Sequence, residues 1–405
     1  MTRSRLLTDI HKFHMPPRLP PELWDIIIRN LNVDVSDDKA TLRACSLTCR
    51  AFLPASRYRL FYRVRLRVER AAKRFLKNIC SGIPSSTNPI PFIRHLEMRG
   101  RHRWVIDVLV FLATRLLEVT YLQLRELKWS LLDENARTTL LSGFQKVTRL
   151  EFSGEFHTSD EMTQFISLFP SLTIISCAKT WWTINEMIAP PPTTTPLPCS
   201  LATIIMGSSH SMYFNRLLRL QSHPNVRDLR IDIRSRHARS TAILLKTLGA
   251  SLDNLSMGLE YSENRFVFYF FFSSQFLSLT FRSTNNSAGV LENINLAHNT
   301  NLRSIELDYG AIYLYPLRQM LTLVNQVIPL HLEHITMRVY AIMNSHCVNW
   351  SQVEDLFTSN QWPHLRRLTI VMYGPQTTSG TIRAIRAHLP ILDVLGFLEV
   401  TSGLL

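Results

Sequence analysis

The chain has 405 residues, 46% apolar and 19% charged, and carries 45 basic against 31 acidic side chains for a net charge of +14. That length exceeds one compact core, so two domains or an elongated repeat are expected, and the composition excludes a largely disordered chain. Six scattered cysteines exclude a disulfide framework and read as small buried hydrophobes of an intracellular protein, cytoplasmic or nuclear.

In chain order, residues 1–17 read as a flexible segment without the apolar core of a secretory signal. The charge is concentrated early: residues 1–80 hold 17 basic and 7 acidic side chains, and the remainder holds 28 and 24. At residue 19 begins "LPPELWDIII", a stretch with only Glu22 and Asp25 for water. Pro20 and Pro21 suit the first turn of a helix and Glu22 suits its positive end, so a helix to about Leu31 is predicted. "VDVSDD" turns into a second helix, with Leu42, Cys45, Leu47 and Cys49 assigned to one apolar side. A third helix starts near Pro54 with Tyr58, Leu60 and Phe61. Three short helices over about 40 residues make a poor core of their own. Their apolar surplus must be shared, with the rest of the chain or with a partner.

The block 18–62, "LPxEL…I…L…L…CSLxCR", resembles the F-box, in the form carried by the large F-box families of mushroom-forming fungi. The resemblance implies three helices that bind a Skp-type adaptor and through it a cullin-RING ubiquitin ligase. It implies adaptor-binding roles for Leu19, Pro20, Glu22, Ile26, Ile27 and Leu31, then for Leu42, Cys45, Cys49, Arg50 and Phe52. Thr48 stands where the family usually has valine, and Phe52 where it has tryptophan. The alternative is that Trp24 and the isoleucines pack on the following residues of the same chain.

Residues 63–90 form a basic connector. From Arg50 to Lys77 there are ten Lys or Arg and only Glu69 as acid, and "RYRLFYRVRLRV" alternates arginine with apolar residues as a strand with one basic face would. Such a stripe can bind phosphate backbones. The competing reading is a solvated cap at the first edge of a repeat.

From residue 93 one pattern recurs: apolar, two residues, apolar, one residue, apolar. It appears at 93, 119, 147, 172, 201, 226, 252, 276, 302, 332, 365 and 392, a mean step of about 27 residues, within the leucine-rich-repeat range. The fifth position of each copy reads Glu97, Gln123, Glu151, Ser176, Ile205, Arg230, Ser256, Thr280, Glu306, Thr336, Thr369 and Gly396, polar in ten of twelve. Strand alternation requires this, because the residue between two core residues faces solvent. Helical stretches follow many copies, among them 107–117, 158–169, 214–222, 240–249 and 316–328, and Thr158 with Glu161 fits a capping box. The predicted fold class is α/β: a three-helix block, then an irregular leucine-rich-repeat-like solenoid over 91–405 with parallel strands inside and helices outside. "LENINL" at 291 fits the pattern too, but only 11 residues before the next copy, and has no place in the scheme. "APPPTTTPLPC" (189–199) reads as a surface loop.

No phosphate-binding, zinc-protease or nucleophile-elbow motif is present, and "FVFYFFF" (266–272) is far short of the ~20 residues of a membrane span. His331 and His334 flank a strand start and make a poor metal pair. The expectation is a non-catalytic subunit without cofactor, metal or membrane partner. Its solenoid would recognise a protein substrate through Glu97, Gln123, Glu151, Arg230 and Glu306. The alternatives are a repeat scaffold without ubiquitination and a basic repeat protein associated with nucleic acid.

Overall fold

The computed structural model describes residues 20–31, 33, 35–48, 51–80, 89–156, 158–177, 181–182, 198–207, 213–214, 218, 225–233, 237–259, 293–309, 316–327, 330–340, 349–359, 361–373 and 377–403. Leu19, Cys49, Arg50, the predicted copy at 276 with Thr280, most of the proline–threonine loop and most of the helix predicted at 214–222 lie outside the described residues. The chain forms two compact units, Met1–Glu97 and Met98–Leu405.

In the first unit, α1 (Pro21–Asn30), α2 (Ser36–Thr48) and α3 (Leu53–Tyr62) precede β1 (Arg63–Leu66) and α4 (Glu69–Cys80). Pro21 opens α1 where its missing N–H costs nothing, and Asp37 and Asp38 sit in the first turn of α2. The far end of α1 is fastened from α3: the Arg59 guanidinium donates to the Leu31 carbonyl at 3.2 and 2.6 Å. The helical core is small, built on Ile28, Leu42 and Ser56, with Trp24 against Phe52 at 5.0 Å between ring centroids. Leu47 points outward, away from Leu42, because five residues along a helix is 140° from the starting face. β1 lies beside β2 (His95–Arg99), whose first three residues close this unit.

The second unit opens with α5 (Arg103–Ala113), β3 (Tyr121–Lys128), α6 (Glu134–Gly143), β4 (Arg149–Phe156) and α7 (Ser159–Ser167). There follow β5 (Ile174–Cys177), β6 (Trp181–Trp182), β7 (Thr203–Gly207), β8 (Asp228–Ile233), α8 (Ala238–Leu248) and β9 (Asn254–Leu259). The last elements are β10 (Ser304–Tyr309), α9 (Pro316–Val324), β11 (His334–Tyr340), α10 (Trp350–Thr358), β12 (Arg367–Tyr373), α11 (Ser379–His388), α12 (Pro390–Val394) and β13 (Leu398–Ser402).

The strands stand in chain order, β3-β4-β5-β7-β8-β9-β10-β11-β12-β13, with β6 beside β4. Neighbours pair in parallel, each return passing through the segment between them, which is the arrangement of a leucine-rich-repeat type of solenoid. The register carries the repeat further than topology does. One continuous rung runs Gln123–Glu151–Ser176–Ile205–Arg230–Ser256–Glu306–Thr336–Thr369–Glu399. Nine of these ten are the fifth-position residues read from the sequence. Their strand neighbours on either side, such as Leu229 and Ile231 around Arg230, are buried.

The last copy is shifted. The final rung is Glu399, not Gly396: Leu392 is buried on α12, which starts at Pro390, and the chain turns through Gly396 at φ +73° before entering β13. The pattern recurs three residues later, as "LGFLEV" at 395, so two phases competed. β9 pairs directly with β10, so among the described residues Ser256 and Glu306 are adjacent on the ladder. The described part of "LENINL", residues 293–296, packs into the core without forming a strand, and Asn299 just beyond it caps a helix. Ile294 and Leu296 are buried, and the buried Asn299 amide donates to the carbonyls of Leu245 and Gly249 at 3.0 and 3.1 Å. It thereby adds a second donor to two carbonyls at the end of α8, which also accept from the N–H groups of Gly249 and Leu252.

Elsewhere the helices follow their sequence signals. The Thr158 side chain accepts from the Glu161 N–H at 3.2 Å at the start of α7. Between helices and sheet lies an aromatic core in which Phe165 meets Trp129 and Phe152 at 5.2 Å and Phe169 at 5.4 Å, all of them buried.

Candidate functional site

Two surfaces carry the residues singled out from the sequence, one on each unit. On the helical unit, Leu23 is 43% exposed, Ile26 54%, Ile27 45%, Val35 46% and Leu47 87%. Four or more large apolar side chains open to water on so small a bundle are unusual for a surface with no partner. Pro20 and Glu22 are exposed on the same helix, and Leu31, Cys45 and Phe52 are half-buried. Leu42 departs from the expected contact role: at 0% exposure it is the bundle's own core.

The second surface is the outward face of the sheet. Gln123, Glu151, Arg230 and Glu306 stand on one rung, as strand alternation predicted, but Gln123 is only 3% exposed and does not face solvent as expected, its amide being turned to Glu151. They are not equally available. Glu151 is a hub, accepting from Tyr121 Oη at 2.8 Å, Gln123 Nε2 at 2.5 Å and Arg125 Nη2 at 3.4 Å. Burial opposes its ionisation, but the bonds from Tyr121 and Gln123 outweigh that and hold its carboxyl below the usual range. Glu306 is engaged by the Arg338 guanidinium, which also meets the Tyr373 hydroxyl. Arg149 stacks over Tyr121 at 4.6 Å, and Arg367 reaches Glu399 at 3.5 Å.

Glu97 belongs elsewhere. It was expected in solvent, yet its side chain is 0% exposed and three arginines converge on it: Arg63 at 2.8 Å, Arg65 at 3.2 Å and Arg67 at 2.7 Å. Burial raises its pKa, and hydrogen bonds from Arg67 and Arg63 more than reverse that, leaving the carboxyl below its ordinary range. The alternating basic face of β1 therefore has an acidic counterpart inside the same unit. Sequence reasoning found the arginines and the glutamate separately; their spacing of about 30 residues hid the pairing.

A feature that periodicity could not show lies at β3 and β4. The strand pairing slips between Arg125 and Leu127, and Glu126 adopts φ +62° there, a left-handed conformation costly for a residue with a side chain. Glu126 is held by Arg99 at 3.0 and 2.7 Å and by its own N–H to Ser153 Oγ at 3.2 Å. The next residue, Leu127, pairs with Gly154, where a Cβ would lie 2.2 Å from the Leu127 carbonyl oxygen. The bulge opens a cleft of about 330 Å³ lined by Arg99, Arg125, Glu126, Glu151 and Ser176.

Among the described residues no group of three or more His, Cys, Asp or Glu is placed to hold a metal ion, and no helix is long and apolar enough to cross a membrane. Burial pushes the Cys177 thiol far up, so it is not a nucleophile.

No protein-family model and no curated protein matches the chain. Among solved structures, a leucine-rich-repeat-containing protein from Legionella pneumophila is similar to it at 15% identity, over 69% of this chain and 82% of that one, with a TM-score of 0.38. The repeat assignment rests on the strand register rather than on that likeness.

Proposed function

We propose that the chain is a non-catalytic substrate receptor of an SCF-type cullin-RING ubiquitin ligase. In this reading α1–α3 bind a Skp-type adaptor and the outward ladder of the second unit binds the protein substrate. The observation that carries it is the exposed set Leu23, Ile26, Ile27, Val35 and Leu47 on a bundle whose own core is only a few side chains deep. Covering such a set from water stabilises a complex by roughly 25 cal/mol per Å² of apolar area, offset by the cost of association. The sequence of the bundle resembles the F-box, and that resemblance points to a Skp-type adaptor as the partner. Such a receptor performs no covalent step; it raises the effective concentration of substrate near a charged ubiquitin carrier.

The test is co-expression of the full chain with a Skp-type adaptor, beside the double variant Ile26→Asp, Ile27→Asp. Both positions are exposed, so the variant keeps its fold by circular dichroism. The native chain is expected to co-elute with the adaptor and the variant to elute alone. A native chain that elutes alone sinks the adaptor reading.

A repeat scaffold without ubiquitination is the second reading, supported by the same ladder; cullin-dependent turnover of a bound protein separates the two. The nucleic-acid reading loses ground to the arginines themselves. Arg63, Arg65 and Arg67 are turned to Glu97, Arg59 to the Leu31 carbonyl, and Lys73 to Glu69 at 2.7 Å.

A further inference from the structure

We infer that the specificity of the outward ladder resides in two charges, Arg230 and Asp308, and that they select a peptide segment carrying one acidic and one basic side chain about four residues apart. The inference rests on the ladder being the substrate-binding face.

Most charges on this face are already satisfied within the fold. Arg125 meets Glu151, Lys128 meets Glu155 at 3.4 Å, Arg338 meets Glu306, and Arg367 meets Glu399. Asp228 accepts from Thr203 at 3.0 Å and from Asn254 at 2.5 Å. A ligand gains little from a charge that it must first detach from a partner. Arg230 and Asp308 are different: among the described residues neither side chain has a hydrogen bond or an ion pair, and Arg338 acts on Asp308 only from a distance. Arg230 is exposed and stands between Ile205 and Ser256, neither of which can be its counter-ion.

Asp308 faces Gly258 on one side and Arg338 on the other, but Arg338 is committed to Glu306 and Tyr373. Its carboxylate is half-buried, and burial pushes its pKa up, with Glu306 adding to the effect and Arg338 opposing it. A desolvated carboxylate without a donor is unfavourable by itself, and an incoming ammonium or guanidinium relieves it.

The register fixes the spacing. Arg230 pairs with Ser256 and Glu306 pairs with Ser256, so Arg230 and Asp308 lie two strands apart and two residues along. With strands about 4.8 Å apart and a rise of about 3.3 Å per residue, the Cα atoms are about 12 Å apart. Between them stand only Ser256 and Gly258, and the Asp232 carboxylate leans over the glycine, where a Cβ would meet it at 2.5 Å. The trough is therefore shallow, with Arg230 as its cation, standing between Asp228 and Asp232 on β8, and the Asp308 carboxylate at its far end. An extended peptide brings residues i and i+4 to the same face about 13 Å apart, which matches.

The test uses the full-length chain and a displayed library of random dodecapeptides. On the native chain, the selected peptides are expected to be enriched in an acidic and a basic residue three to five positions apart. Arg230→Gln should remove the acidic preference and keep the basic one, and Asp308→Asn the converse, each lowering recovery of native-selected peptides at least tenfold. Arg230→Glu should replace the acidic preference by a basic one, a change that loss of folding cannot produce. Selection of no peptides, or enrichment that ignores both residues, overturns the inference. The same preparations are tested for adaptor capture. Capture without charge-pair selection removes this inference and leaves the receptor reading; selection without capture does the reverse.

Discussion

The two units of this chain handle apolar surface in opposite ways. In the repeat unit, Leu, Ile, Met and Phe alternate inward along every strand of the ladder, and the outward face is polar with its charges mostly paired. In the α1–α3 bundle of the first unit the core is a few side chains, and five large apolar residues stay in water. Under the proposed function, the contrast separates two kinds of binding. A face of uncovered Leu and Ile gains from desolvation and is tolerant of detail, which suits a constant partner. A polar ladder gains little from area and discriminates by charge placement, which suits a selective one.

The largest expected effect tests the inside–outside contrast directly. Phe165→Ala, in the aromatic core of the repeat unit, should cost about 3–5 kcal/mol, because Trp129, Phe152 and Phe169 cannot collapse into the space. Leu47→Ala, at 87% exposure in the helical unit, should change stability by less than about 0.5 kcal/mol. Urea unfolding followed by tryptophan fluorescence and circular dichroism gives both numbers. Comparable losses at the two sites would mean that the helical surface is covered after all.

Glu97→Gln comes next. It leaves three guanidiniums around a neutral amide, and about 2 kcal/mol should be lost; the figure sits below that of a fully buried pair because the arginines are 25–53% exposed and partly screened. The pH dependence has a definite sign. The folded-state pKa of Glu97 is depressed, so its contribution is complete above the unfolded carboxylate range and disappears as pH falls through the lower folded value. Native protein should therefore lose stability toward acid more steeply than Glu97→Gln does. Thermal unfolding between pH 6 and pH 3 measures the difference, and parallel curves would show that the arginine cluster is not stabilising.

What could be read before any coordinates follows from the range of the physics. Strand alternation and a step near 27 are local properties, so the register through Gln123, Glu151, Arg230 and Glu306 was visible in the sequence. The stop at Pro390 was visible also, but two overlapping apolar phases made Gly396 and Glu399 equally good rungs, and only packing chose. Long-range electrostatics are invisible there: nothing in "RVRLR" names Glu97 as its counter-ion, and strand alternation alone assigns a polar residue at a ladder position to solvent. The bulge at Glu126 was hidden for a similar reason, since a left-handed residue there depends on Gly154 in the next strand. Burial at Leu42 and exposure at Leu47 were decided by helix phase, which the apolar count alone ignored.

The smallest predicted effect has the opposite sign and sharpens the comparison most. Asp308→Asn should stabilise the repeat unit, by on the order of 1 kcal/mol, because it replaces a half-buried carboxylate that lacks a donor with a neutral group of the same shape. The folded-state pKa of Asp308 is raised, so the native protein's deficit relative to the variant should be full at neutral pH and close as pH falls through that raised value. The paired carboxylates offer the control: Glu151→Gln should destabilise, since Tyr121, Gln123 and Arg125 all lose an anionic acceptor. Differential scanning calorimetry at pH 7 on the two variants reads both signs. A gain at Asp308 and a loss at Glu151 would locate the ladder's unsatisfied charge at the position free to meet a ligand. A loss at both would mean that Asp308 is part of the structural network and that a peptide's basic group has no vacancy to fill there.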